Sequence, residues 1–143
     1  MKKYLLFVSF LFVLTLLGAC DNDENQADVT LLNTWVLVSY GNESKEVLKE
    51  VEGYYYILTF NPNNTYSGWA YMNEIGGEYK CRGNKIEISY PDITKVYYEG
   101  TDPDMFFMEH LHEVNTYQIS DRELRLYYSK DQFFKFRIKD NKS

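Results

Sequence analysis

In several stretches between Asn33 and the C-terminus the apolar residues recur at every second position, and that period constrains the fold more than any other feature of the chain. Leu124, Leu126 and Tyr128 fall on one face of an extended backbone, as do Phe134, Phe136 and Ile138, and Ile86 and Ile88. Successive side chains on a strand point to opposite faces, so a period of two buries one face and solvates the other. The 14 Tyr and 9 Phe reinforce the reading, because aromatic side chains suit a pleated, half-buried surface.

Turn residues divide this stretch into short strands. The spacing predicts strands over Trp35 to Tyr40, Tyr54 to Phe60, Thr65 to Met72, Glu78 to Arg82, Lys85 to Tyr90 and Ile93 to Tyr98. Asn61-Pro62-Asn63-Asn64 and Gly83-Asn84 supply hairpin turns. Three more strands follow, over Val114 to Ile119, Glu123 to Tyr128 and Gln132 to Ile138. Two segments break the period. Ser44 to Val51 predicts a short helix capped by Ser44, with Val47, Leu48 and Val51 on one face. Pro103 to His112 predicts a helix of about three turns: Asp102 is the cap, Pro103 suits the first helical position, and Phe107, Met108 and Leu111 share a face. The expected fold is mainly β, a small antiparallel barrel or strongly curved sheet of about eight strands with one helix plugging it. Closure also protects so aromatic a sheet from edge-to-edge pairing.

The N-terminus is written differently. Lys2 and Lys3 precede an almost wholly apolar run from Tyr4 to Leu17, too short to span a bilayer and of the length of a secretory leader. It closes with Leu17-Gly18-Ala19-Cys20, which resembles the bacterial lipobox. Small residues before the cut enter the peptidase cleft, and the Cys20 thiol takes the diacylglyceryl group. The expectation is a leader over 1–19, then a lipidated Cys20 and an acidic tether over 20–32. Cleavage removes two of the 15 basic residues and none of the 21 acidic ones, moving the formal charge from −6 to −8. A nucleic-acid partner is excluded on charge, and the membrane partner is engaged through the lipid alone. The acidic run after Cys20 resembles the export signal of surface lipoproteins in Bacteroidota, whereas in enterobacteria an Asp at that place signals inner-membrane retention. The expected location is the bacterial envelope, at the outer membrane, with the periplasmic and surface faces both open.

Residues that carry chemistry are few. Cys81 is left alone once Cys20 is lipidated, so no intramolecular disulfide forms; between Lys80 and Arg82 it reads as a strand residue rather than a nucleophile. Asp21, Asp23 and Asn25 echo the start of a calcium loop, but Gln26 stands where the turn glycine belongs and Leu32 where the bidentate Glu belongs. His110 and His112 lie two apart on the second helix, about 200° around its axis, and cannot chelate one ion there. Stabilisation of a helix C-terminus is the better account of both. Glu99, Asp102 and Asp104 form an acidic stretch of the kind common at helix N-termini. No metal or cofactor is expected. The serines lack a nucleophile-elbow motif, and no enzyme is expected. Trp69, Tyr71 and Tyr56 form the candidate ligand groove, since aromatic platforms stack on sugars or apolar ligands.

The order of elements also resembles a known family. Asn33-Thr34-Trp35-Val36-Leu37-Val38 matches its opening Trp strand. Gly68, Asn73, Gly77 and Tyr79 keep the spacing of its Gly, Cys-Asn and Gly-x-Tyr stretch. Asp104, Phe107, Leu111, Val114, Tyr117, Ile119, Leu124 and Leu126 follow its later pattern. On these residues, 33–143 resembles the META domain of HslJ-like bacterial lipoproteins. Met72 and Tyr98 stand where relatives carry two cysteines, a paired loss that suits a divergent member without the disulfide. The resemblance implies an envelope lipoprotein linked to heat and antibiotic stress, with no catalytic residue to carry over; Asn73 and the glycines read as turn and packing residues. A lipocalin-like carrier of a small apolar ligand is the alternative. A barrel packed with Trp35, Phe60, Phe107 and Leu111 suits the first reading and a hollow one the second.

Overall fold

A computed structural model describes residues 31–42, 47–50, 56–94 and 103–140, and among the described residues ten strands and one helix form. In chain order they are β1 (Thr34–Asn42), β2 (Val47–Glu50), β3 (Tyr56–Phe60), β4 (Thr65–Ala70), β5 (Asn73–Arg82), β6 (Lys85–Ile88), β7 (Asp92–Ile93), α1 (Pro103–Leu111), β8 (Thr116–Ser120), β9 (Glu123–Tyr127) and β10 (Gln132–Ile138). Strands β1, β3, β4, β5, β6, β8, β9 and β10 pair in that order, and β10 returns to β1, closing an antiparallel barrel. The expected fold class is what forms. Closure rests on Trp35 pairing with Ile138 and Leu37 with Phe136, residues from opposite ends of the domain. The narrowest seam is β6 to β8, with Lys85 opposite Thr116 and Tyr117 N–H donating to the Asn84 carbonyl at 2.9 Å.

Strand β1 is the pivot. One edge runs along β10, while the other pairs with β3 over Thr34–Val36 and then with β2 over Ser39–Asn42. The expected helix over Ser44 to Val51 is therefore overturned: Val47–Glu50 is strand β2. Beyond Val36, where β3 ends, β1 would otherwise present unpaired backbone groups, and β2 satisfies them. That gain is non-local and outweighs a short apolar stripe at helical spacing; Ser44 lies outside the described residues. A bulge between Leu37 and Ser39 then changes which side chains face inward. Strict alternation after Trp35 and Leu37 would bring Ser39 to the core. The bulge instead sets Tyr40, partly buried, against it, opposite Phe134 and 6.4 Å from that ring, while Ser39, opposite Lys135, is buried at 6% exposure.

Strand β5 is also longer than expected. The sequence reading ends one strand at Met72 and opens the next at Glu78, treating the glycines between as a connection. In the structure β4 stops at Ala70, Tyr71 and Met72 make a tight turn with Tyr71 at φ 55°, and β5 runs from Asn73 straight through Gly76 and Gly77. Its second edge carries β6 along Tyr79–Arg82 and β7 at Ile75 and Gly76; of the strand expected over Ile93 to Tyr98, Ile93 lies in β7 and Thr94 just beyond it. Residues 95–100 lie outside the description, with Tyr98 and Glu99 among them. The turns at Asn64 (φ 60°) and Asp121 (φ 54°) use residue types that tolerate a left-handed backbone.

The helix forms as expected from Pro103, ending at Leu111. It fills the barrel. Phe107 lies with its ring 5.1 Å from Phe134, 5.1 Å from Tyr56 and 6.4 Å from Phe136. Phe60 meets Tyr79 edge-on at 5.0 Å. Trp35, Phe60, Phe107 and Leu111 are all at most 2% exposed. Aromatic rings at these separations gain contact energy beyond the area they bury. Among the described residues no helix is long and apolar enough to cross a membrane.

Candidate functional site

The three aromatic residues nominated from sequence do not share a face. Tyr56 pairs with Ala70 across the β3–β4 ladder and points inward, onto Phe107. Trp69, one residue earlier on β4, points outward and is 44% exposed. Tyr71 stands in the turn beyond, also exposed. The alternation of a strand makes the separation of Tyr56 from Trp69 unavoidable.

What the barrel places beside Trp69 is a different set. Two rows cross the outer wall at right angles to the strands. In one, Thr34 pairs with Thr59, and Thr59 with Ser67. In the next, Ile57 pairs with Trp69, and Trp69 with Glu74. These side chains, with Lys139 at one end, line an open groove of about 470 Å³. The Thr34 and Thr59 hydroxyls are 3.0 Å apart and hydrogen-bonded. The backbone of Glu74 is pinned from the next strand: its N–H donates to Thr94 Oγ1 at 2.9 Å, and its carbonyl accepts from the Thr94 N–H at 3.1 Å. Lys139 N–H donates to the Thr34 carbonyl at 2.8 Å, fixing where that side chain leaves the wall.

Sequence reasoning found Trp69 and missed Thr34, Thr59, Ser67, Glu74 and Lys139. These residues lie far apart along the chain, and only the register of β1, β3, β4 and β5 brings them together. A strand glycine shapes the groove floor. A Cβ on Gly68 would sit 1.8 Å from the Ile57 carbonyl oxygen, so β4 coils against β3 as no other residue type allows.

The remaining candidates have structural duties. Cys81 is buried on β5 opposite Ile86. His110 Nδ1 donates to the Phe106 carbonyl at 2.9 Å, and its ring stacks on Phe106 at 4.4 Å and meets Tyr128 at 4.8 Å. His112 Nδ1 lies 3.4 Å from the Met108 carbonyl, and its ring lies 5.2 Å from Tyr90. Among the described residues no three His, Cys, Asp or Glu side chains converge as a metal site. On the far wall Glu123 bridges Arg125 at 3.0 Å and Lys135 at 2.8 Å. Burial pushes the Glu123 carboxyl upward, but the two cations together overcome it and hold it below the usual range.

The motif residues hold the barrel together. Asn73, at the start of β5, is 4% exposed. Gly77 lies under the Tyr66 ring. Tyr79 donates its hydroxyl to the Asn61 carbonyl at 2.8 Å, fastening β5 to the β3–β4 turn. Met72 is exposed in the turn.

Two solved structures share this fold at low sequence identity. A crystal structure of a DUF4847 family protein from Bacteroides vulgatus superposes with a TM-score of 0.59 at 18% identity, over 76% of this chain and 94% of that one. An NMR structure of a protein from Burkholderia xenovorans gives 0.61 at 16% identity, over 76% of this chain and 84% of that one. No curated protein matches the chain. The family model of the META domain, however, matches residues 27–140, from ahead of β1 to beyond β10. Gly68, Asn73, Gly77 and Tyr79 are thus the fastenings of a barrel that the match covers whole, and the chain belongs to the META domain family.

Proposed function

We propose that this is a lipid-anchored, non-enzymatic protein of the bacterial envelope, of the HslJ-like type, held at the outer membrane, with a role in envelope stress exerted by binding an envelope component through its outer wall. The observation that carries the reading is the filled interior. A barrel whose bore is taken by Phe107, Leu111, Trp35 and Phe60 has its exposed chemistry on the outside. Carriers of small apolar ligands need an apolar cavity of several hundred Å³ or more, which weighs against the lipocalin-like alternative. The buried Cys81 and the helix-bonded histidines are poorly placed for nucleophilic or acid–base work. The anchor rests on Leu17-Gly18-Ala19-Cys20, which lies outside the described residues.

One preparation tests both parts. The full chain is expressed in a bacterial host that lipidates its own lipoproteins, and its mass is taken under denaturing and native conditions. A denatured mass corresponding to a chain beginning at Cys20 plus acyl groups supports the anchor, and an unprocessed or unmodified mass overturns it. Equal native and denatured masses support the filled barrel. A discrete non-covalent adduct that survives Trp69→Ala returns the carrier reading.

A further inference from the structure

We infer that the outer-wall groove beside Trp69 is a saccharide-binding site, taking a pyranose whose flat C–H face lies on the indole while its hydroxyls meet the rim. The inference rests on the reading that the outer wall is the working surface; it does not depend on the lipid anchor.

Three observations carry it. The first is the platform. Trp69 is 44% exposed on a wall where Ser67 and Glu74 are its exposed outward-facing neighbours along β4 and across to β5, and its indole N–H meets no acceptor among the described residues. Aromatic side chains that offer an apolar face and a polar edge are the usual anchors of recognition sites. The second is the rim. Hydroxyls from Thr34, Thr59 and Ser67, one carboxylate from Glu74 and one ammonium from Lys139 surround the ring. Hydroxyls both donate and accept, which is what a sugar hydroxyl requires. One anion against one cation leaves no surplus positive charge to hold phosphate or sulfate groups, and so polar a rim suits lipid tails poorly. The third is the frame. Strands β3, β4 and β5 are paired on both sides around the groove, so no backbone edge is free to accept a peptide as an added strand. The groove volume of about 470 Å³ falls in the range of small-ligand sites, about 300–1,000 Å³. It is built on ladder-paired backbone, so little ordering cost accompanies binding.

The chain carries its own control. It has two tryptophans, of which Trp35 is fully buried. Fluorescence changes at the groove therefore belong to Trp69, while Trp35 reports that the barrel is intact. The full chain in a zwitterionic detergent without a sugar headgroup is titrated with cellohexaose, mannohexaose and chitohexaose. At least one of these hexasaccharides is expected to shift the emission saturably, and Trp35→Phe is expected to keep the signal. Isothermal titration then reads the variants that lack the Trp69 signal. Trp69→Ala is expected to weaken binding roughly tenfold or more, and Trp69→Phe, which keeps an aromatic face, to retain most of it. Absence of binding by all three hexasaccharides up to about 10 mM, or binding unchanged in Trp69→Ala, overturns the inference. If the native mass also shows no internal adduct, the outer-wall reading stands and only the ligand class falls. An internal adduct that survives Trp69→Ala removes both.

Discussion

The ring of Tyr66 occupies the space that a side chain on Gly77 would need. The two residues pair across β4 and β5, and a Cβ on Gly77 would lie 2.9 Å from Tyr66 Cε1, 3.0 Å from its hydroxyl and 2.4 Å from Ser89 Oγ. The ring covers an interior stretch of β5 that the Gly76-Gly77 pair leaves bare, and its hydroxyl donates to the Ser89 carbonyl at 2.9 Å. A glycine pair that reads locally as a break is held in a strand by an aromatic neighbour on the next one.

Gly77→Ala is accordingly expected to destabilise the barrel by about 1–3 kcal/mol, the usual cost of overpacking a tight site. Gly83 supplies the contrast. Its φ is +59° and nothing lies within 4 Å of a Cβ there, so its constraint is backbone conformation alone. Urea unfolding should show Gly83→Asn recovering most of what Gly83→Ala loses, because Asn tolerates the left-handed region. Gly77→Asn should recover nothing relative to Gly77→Ala. Equal behaviour at the two positions would contradict the packing account.

Phe107 carries the helix into the barrel. Its ring is 2% exposed and meets rings from β3 and β10. Phe107→Ala should cost about 3–5 kcal/mol through lost burial and the cavity left behind. The exposed neighbour Phe106 should cost clearly less when changed to Ala, although its ring lies 5.0 Å from Tyr40. Denaturant midpoints of the two variants decide the order, and the reverse order would mean that the helix does not plug the bore.

Two tyrosines make the fold sensitive to alkali. Burial pushes the Tyr79 phenol up to about 12, and burial holds Tyr66 higher still, against the opposing effect of Ser89. An unfolded tyrosine titrates near about 10. Between these values the native state keeps protons that the unfolded chain releases, so stability is fully present below about pH 10 and falls as pH rises toward 12. Tyrosinate absorbance should show the buried pair ionising only as the barrel opens. Tyr79→Phe should flatten the alkaline limb of the stability profile and cost about 1 kcal/mol at neutral pH. The cost is limited because the Asn61 carbonyl keeps a second donor in the Asn64 N–H.

Glu123 is the opposite case. Its bridges to Arg125 and Lys135 are geometrically good, but all three side chains are about a third exposed. Solvent screens such pairs, and Glu123→Gln should change stability by less than about 1 kcal/mol. Its lowered carboxyl contributes above the ordinary Glu range and loses that contribution as pH falls through the native value. A larger loss in chemical denaturation at neutral pH would show that the Arg125 stack on Phe133, 4.9 Å from the ring centroid, depends on the carboxylate.

The strands on either side of Gly83-Asn84, the hairpin from Glu123 to Ile138 and the helix from Pro103 were legible because each is governed by local rules: turn residues with special backbone angles, alternation within one strand, proline at a first helical turn. The resemblance on Gly68, Asn73, Gly77 and Tyr79 was legible for the same reason, since those residues serve tight local geometry. What failed to show was set at a distance. Val47–Glu50 became strand β2 because β1 offered it an edge. The bulge beside Val38 turned Tyr40 toward the core because β10 pairs with β1 in that register. The groove beside Trp69 exists only where Thr34, Thr59, Ser67 and Glu74 line up across four strands. A sequence determines which faces of its own strands are apolar, because that is a property of neighbours one and two residues away. Which strands meet, and which outward side chains then stand together, is decided by barrel closure. That depends on hydrogen-bond register between segments as remote as Trp35 and Ile138, and no local pattern encodes it.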